Sequence, residues 1–164
     1  MRSVLFDAGR KGGVFGDQGW GRGLGQMSYA GDLKPTEAWK LLTEEAAAQL
    51  VDVRTRPEWM FVGLPDLTSI GRRPLLRSWQ VFPSMEVDEN FAAELGRQVP
   101  DRDTPLLFLC RSGGRSRAAA AAMAAAGYRR CYNVAEGFEG NPDAERHRGT
   151  TGGWKAAGLP WVQD

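Results

Sequence analysis

Short apolar runs alternate with stretches of helical periodicity from residue 34 to the end of the chain. A proline-initiated helix is predicted to begin at Pro35 or Thr36, because proline suits the first turn of a helix. Residues 49–54 have the pattern of a buried strand that ends in polar residues, and residues 57–62 that of a short helix. A second strand is predicted over 75–82, where Pro83 ends it.

The second half of the chain continues this alternation. Three apolar residues at a spacing of four predict a helix: Phe91, Leu95 and Val99. The strongest strand pattern covers 104–109, short and apolar like a central parallel strand. An alanine-rich helix is predicted over 116–126 and ends before Gly127, followed by a strand over 130–134 and a turn of helix over 154–157. Alternating strands and helices predict an α/β fold, with a central, mostly parallel sheet flanked by helices on both faces.

The first 33 residues have a different character. Glycine recurs eight times between residues 9 and 25, with no hydrophobic period. Such a segment buries too little apolar surface to offset its ordering entropy, so residues 1–33 are predicted to be a flexible extension. Met27 is an alternative natural start. The single folded domain is then expected over 34–164.

Composition narrows the possible functions. The chain has 164 residues and a net charge of +1, which argues against nucleic-acid binding by phosphate neutralisation. Two cysteines and one histidine, His147, supply neither a disulfide framework nor a zinc site, and nothing in the sequence indicates a metal or organic cofactor. The sequence shows neither an apolar run of membrane-spanning length nor a signal peptide, so a cytoplasmic protein without a membrane partner is expected.

The chemistry is concentrated where the apolar strand meets the alanine-rich helix. Cys110 follows the strand directly, and the loop continues through Arg111, Ser112, Gly113, Gly114, Arg115 and Ser116. Backbone N–H groups in such a loop converge on an anion, and the positive end of the helix adds to the field. The two glycines permit positive φ, the two arginines add charge, and Ser116 is placed to cap the helix. We therefore expect a thiol that ionises readily and acts as a nucleophile. Cys131, inside a predicted strand, is expected to be inert packing.

These residues resemble the active-site loop of rhodanese-like sulfurtransferases. Leu50-Val51-Asp52-Val53-Arg54, with Glu58-Trp59 after it, resembles the first-strand motif of that family. Gly152-Gly153-Trp154, followed by Ala157-Gly158-Leu159-Pro160, is similar to its C-terminal signature. The three motifs occur in the order of the family, between about residues 33 and 162.

The resemblance implies a rhodanese-like fold and a thiosulfate sulfurtransferase activity. Cys110 would take sulfur from thiosulfate or a similar small anionic donor as a persulfide, and pass it to cyanide, a thiol or a protein cysteine. The backbone from Arg111 to Ser116 would cradle the persulfide, and Arg111 and Arg115 would hold the donor. Asp52 and Arg54 would support the loop, although a plain ion pair at the strand end explains them equally well.

The sequence leaves one other function open and argues against a second. The domain could be a persulfide carrier that serves a protein partner without turning over small donors. A cysteine phosphatase is disfavoured, because that chemistry needs five residues between cysteine and arginine and only four separate Cys110 from Arg115. Two departures from the family leave donor preference open. Residues 63–67 lack the usual histidine, and residues 137–151 have the character of an inserted loop.

Overall fold

The computed structural model describes residues 29–164. The elements follow one another along the chain in the order β1 (Gly31–Leu33), α1 (Pro35–Glu44), β2 (Gln49–Asp52), α2 (Arg56–Phe61), β3 (Leu64–Pro65), a 3-10 helix (Thr68–Ile70), β4 (Leu75–Leu76), β5 (Gln80–Val81), β6 (Glu86–Val87), α3 (Phe91–Gln98), β7 (Leu106–Leu109), α4 (Gly114–Ala125), β8 (Cys131–Val134), α5 (Gly153–Ala156) and β9 (Trp161–Val162). Strands and helices alternate along most of the chain, as the sequence predicts, but β4, β5 and β6 follow one another with no helix between them.

The central sheet has five strands in the order β1-β8-β7-β2-β4, and every neighbouring pair is parallel. The all-apolar strand β7 lies in the middle, between β2 and β8. Two small antiparallel pairs, β3 with β9 and β5 with β6, lie outside this sheet. Because all five strands run the same way, their carboxyl ends meet at one edge, where ligands bind in open α/β sheets.

Alternate residues of β7 pack into two separate cores. Leu106 and Phe108 join a cluster that includes the buried residues of α3 and α4. Leu107 and Leu109 join a second cluster with α1 and α5. The sheet is therefore covered by helices on both faces, and the predicted α/β fold is confirmed.

The sheet begins earlier than the sequence predicts. β1 lies inside the segment 1–33, which was expected to be flexible, but it pairs in parallel with β8. Ala30 N donates to Cys131 O at 2.7 Å, and Ala135 N donates to Leu33 O at 2.8 Å. These backbone bonds hold a strand too short to show a hydrophobic period. The rest of the predicted extension, with the alternative start at Met27, lies outside the described residues.

The strand predicted over 75–82 is divided. β4 pairs with β2 in the main sheet, whereas β5 pairs with β6 in a separate hairpin. Between them, Arg77 N donates to the carbonyl of Asp52, the last residue of β2, and Trp79 N donates to the carbonyl of Val53, the residue after it. The polypeptide then turns away from the sheet. The sequence of residues 75–82 gives no signal of this turn, because apolar and polar residues continue through it without a glycine or proline.

Candidate active site

Cys110 lies at the carboxyl end of the central strand, directly after β7, and faces the start of α4. The residue is 1% exposed. Its Sγ accepts a hydrogen bond from Gly113 N–H at 3.1 Å and lies 3.2 Å from the Ser116 hydroxyl oxygen. A backbone donor and the positive end of a 12-residue helix thus face the sulfur, an arrangement that favours negative charge on it.

The two loop glycines have different conformations. Gly113 has a φ of 114°, which turns its N–H toward the sulfur and is rarely adopted by other residues. Gly114 is already the first residue of α4 and does not have a positive φ. Of the two glycines that permit positive φ, only Gly113 adopts it, because the helix begins two residues earlier than the sequence indicates.

The earlier helix start also changes the position of Ser116. It lies in the first turn of α4, completely buried, and the N-cap is Gly113. The prediction that Ser116 caps the helix is wrong. Its hydroxyl oxygen instead lies 2.6 Å from Oδ1 of Asn133 on β8, close to the sulfur. Asn133 was not predicted as a site residue from the sequence. The available signal was a polar residue in an otherwise buried strand.

The two loop arginines differ in their surroundings. Arg115 donates two hydrogen bonds of 2.8 Å to the two carboxylate oxygens of Glu58 on α2. Burial tends to raise the pKa of Glu58, but hydrogen bonds from Arg115 and Thr55 outweigh it and lower the pKa to about 2. The charge of Arg115 is therefore balanced within the protein. Arg111 is exposed.

A cleft of about 600 Å³ lies beside the loop and is bordered by Arg111 and Arg115. Its other charged lining residues are Glu58, Glu139 and Arg148. Three guanidinium groups against two carboxylates leave an excess of positive charge, which favours an anionic ligand. Ser112 is half-buried in the loop and does not border this cleft.

Asp52 and Arg54 form a fully buried ion pair at the end of β2. Arg54 Nη2 lies 2.7 Å from Asp52 Oδ2 and donates to Gly63 O at 2.8 Å. The guanidinium carbon lies 4.3 Å from the centre of the Phe138 ring, and the backbone N–H of Phe138 donates to Cys110 O at 2.8 Å. A single residue, Phe138, thus connects the ion pair to the backbone of Cys110. The role of the pair in supporting the loop stays a prediction.

The segment 137–151 contributes its first residues to the site. Phe138 N and Glu139 N donate to the carbonyl oxygens of Cys110 and Arg111 at 2.8 and 3.0 Å. Gly137 has a φ of 64°, and a Cβ built on it would lie 2.4 Å from Cys110 O. Only glycine permits this close approach. The first residues of the predicted insertion therefore pack directly against the backbone of Cys110 and Arg111 and hold it by hydrogen bonds.

Cys131 is fully buried on β8, and burial raises the pKa of its thiol to about 12. This buried environment agrees with the expectation that Cys131 is an inert packing residue. Among residues 29–164, no group of three or more histidine, cysteine or acidic side chains could hold a metal ion. None of the helices described in that part of the chain is both long and apolar enough to cross a bilayer.

Comparison with known proteins agrees with this architecture. The family model of the STR4 middle domain matches residues 31–164. The uncharacterized protein RP600 of Rickettsia prowazekii is 39% identical over 127 residues, which cover 77% of this chain and 92% of that protein. The chloroplastic protein THYLAKOID RHODANESE-LIKE of rice (Oryza sativa subsp. indica) is 30% identical over 134 residues, covering 80% of this chain and 25% of that protein.

Two solved structures have similar folds. The crystal structure of Rv0390 from M. tuberculosis has a TM-score of 0.77 and 50% identity, and covers 84% of this chain and 100% of that chain. The polysulfide-sulfur transferase homodimer of Wolinella succinogenes, solved in solution, has a TM-score of 0.56 and 21% identity, covering 87% of each chain. The second likeness is one of fold alone.

Proposed function

The chain belongs to the STR4 middle domain family and is a rhodanese-like domain, and from this we propose that it is a sulfurtransferase that carries sulfane sulfur as a persulfide on Cys110. The observation that carries the proposal is the environment of the sulfur. Cys110 Sγ lies at the end of the central strand, accepts the Gly113 N–H, and faces the N-terminus of α4. This environment stabilises both a thiolate nucleophile and the anionic end of a persulfide.

Thiosulfate or a similar small anion is the proposed donor. The Cys110 thiolate attacks the outer sulfur of thiosulfate, the sulfur–sulfur bond of the donor breaks, and sulfite leaves with the electron pair. The product is Cys110–S–S⁻. Cyanide or a thiolate then attacks the terminal sulfur and restores the Cys110 thiolate. Arg111 and Arg148, which border the cleft, would attract the donor, with Arg115 held to Glu58.

The test is turnover of thiosulfate and cyanide to thiocyanate and sulfite. The wild type is expected to turn over, Cys110→Ser to be inactive, and Arg111→Ala to raise KM for thiosulfate about tenfold, the effect of one lost charge-assisted contact. Arg129→Ala is the matched control, since that side chain is 71% exposed on the surface, and it should leave KM unchanged. Folded wild-type protein that makes no thiocyanate would refute the thiosulfate enzyme.

The alternative function is a persulfide carrier loaded by a protein partner, and one surface favours it. Phe61 and Phe82 are 71% and 57% exposed and line an apolar groove together with Met60. Phe82 also borders the cleft beside the loop. Exposed aromatic side chains next to a reactive site are typical of protein contacts. For a carrier, Phe82→Ser should slow loading from a persulfidated protein, while thiosulfate loads neither form.

A further inference from the structure

Asn133 is a fully buried polar residue on β8, and its contacts form a chain that ends at the active-site sulfur. It is the register partner of Asp32 on the edge strand β1. Its Nδ2 donates to Asp32 Oδ1 at 3.0 Å. Tyr29 OH donates to the same carboxylate oxygen at 3.0 Å. An ionised carboxylate only accepts hydrogen bonds, so Asp32 fixes the direction in which the Asn133 amide points.

The fixed amide turns its oxygen toward Ser116. Asn133 Oδ1 lies 2.6 Å from Ser116 Oγ, and an amide oxygen only accepts. Ser116 has one hydroxyl hydrogen and must give it to Asn133. The Ser116 oxygen therefore presents lone pairs to Cys110 Sγ, 3.2 Å away.

We propose that Asn133, oriented by Asp32, is a positioning residue that keeps the Ser116 proton turned away from Cys110 Sγ. The inference rests on the proposed function of Cys110 and adds how the protein controls the state of its sulfur. None of the three residues needs to touch the sulfur donor for this role. Asp32 acts on Asn133, Asn133 acts on Ser116, and only Ser116 contacts the reacting atom.

The thiol, persulfide and thiolate states of Cys110 differ in the hydrogen bonds that they allow Ser116 and Asn133 to make. A neutral thiol donates its hydrogen to Ser116 Oγ, and every polar group in the chain then has its partner. A persulfide also leaves the Ser116–Asn133 bond in place. A free thiolate accepts the Gly113 N–H but faces the lone pairs of Ser116 Oγ, and it gains the Ser116 hydrogen only if the hydroxyl turns and leaves the buried Asn133 oxygen unpaired.

The hydrogen bonds from Asp32 through Asn133 to Ser116 therefore disfavour the free thiolate relative to the thiol and the persulfide. In discharge, an acceptor thiolate R–S⁻ attacks the terminal sulfur, R–S–S⁻ forms, and the electron pair of the broken bond stays on Cys110 as a thiolate. A less stable leaving thiolate slows this step. Asn133 thus makes the domain hold its sulfur longer before release.

The charged groups around the loop are separate from this chain. They are Asp52 and Arg54 at the end of β2, Glu58 on α2 and Arg115 on α4, together with three residues that line the cleft: Arg111, Glu139 and Arg148. Asp32, on the far side of Asn133, also has Arg117 within 3.8 Å. A change at Asn133 alters none of these charges, so its effect on the thiol reports the hydrogen-bond chain.

The test is a pH titration of Cys110 by thiolate absorbance near 240 nm, with Cys110→Ser as the blank. Asn133→Leu has a similar volume and cannot accept, so Ser116 can donate to the thiolate. We expect the midpoint to fall by about one pH unit, the tenfold effect of one buried hydrogen bond. Single-turnover release of sulfur to a thiol should accelerate to a similar degree. In a Ser116→Ala background, Asn133→Leu should change neither quantity.

Asp32→Asn is a second variant, and we expect it to fold because the Asp32 side chain is 43% exposed. It frees the amide to turn, and its shift should have the same direction and also vanish with Ser116→Ala. A shift that persists in that background would be a charge effect and would overturn the proposal, as would an unchanged midpoint. The titration needs no sulfur donor, so its failure is distinct from a wild type that accepts no sulfur.

Discussion

Glu58 joins helix α2 to the cysteine loop, and its replacement by glutamine tests that connection. The carboxylate accepts two hydrogen bonds of 2.8 Å from Arg115 and two more, of 2.9 and 2.8 Å, from the backbone and hydroxyl of Thr55. Both side chains of the ion pair are about four-fifths buried, with 18% and 20% exposed. Glutamine removes the charge and replaces one acceptor oxygen by an amide donor that opposes the guanidinium.

The lowered pKa of Glu58, about 2, sets the size and the pH range of the effect. After a discount for solvent screening, the depression from the ordinary value is worth about 2 kcal/mol of folding free energy at neutral pH. Because the folded-state pKa is lowered, this stability is present above the unfolded value near 4.5 and is lost as pH falls toward 2.

The assay is urea unfolding of wild type and Glu58→Gln at pH 7 and pH 3. The variant should be about 2 kcal/mol less stable at pH 7, and the difference should shrink by more than half at pH 3. Glu94→Gln is the control, because Glu94 pairs with a 70% exposed Arg97, and it should cost less than about 0.5 kcal/mol. A Glu58 difference that is equal at both pH values would refute the reasoning.

Three further predictions concern the surroundings of the loop. Arg54→Met leaves Asp52 buried without its partner and should cost about 3–5 kcal/mol in urea unfolding; a loss below about 1 kcal/mol would contradict a buried ionic pair. Gly137→Ala meets the cysteine-loop backbone at 2.4 Å and should cost at least about 2 kcal/mol, clearly more than Gly71→Ala, where a Cβ meets nothing within 4 Å; equal losses would exclude steric crowding. Cys131, with its pKa of about 12, should resist iodoacetamide at pH 8 in native protein, as peptide mass spectrometry would show, and fast labelling would disprove its burial.

The sequence predicts the elements whose signal is local. The apolar run that forms β7 and the alanine-rich helix α4 are both evident as patterns, and the cysteine between them follows at once. β1 was missed because three residues after a glycine-rich segment show no period, and its strand exists only through pairing with β8. Tertiary pairing, not local propensity, decides such a strand.

The site shows the same division. The loop residues could be predicted because they are consecutive, and Asp52 and Arg54 because they end a strand. The partner of Arg115 could not be predicted, since Glu58 lies 57 positions away in sequence and meets Arg115 only in the folded structure. Asn133 was missed for a similar reason. Its contacts with Asp32 and Ser116 join it to β1, which the sequence did not predict, and to α4, whose start the sequence placed two residues too late.

The most direct test of the central claim is the intact mass of the reduced protein after incubation with thiosulfate, with Cys110→Ser treated in parallel. A persulfide on Cys110 predicts a gain of one sulfur atom, about 32 Da, that cyanide removes and that the variant never shows. A folded wild type with no gain, or an equal gain in Cys110→Ser, would contradict thiosulfate-driven sulfur transfer through Cys110.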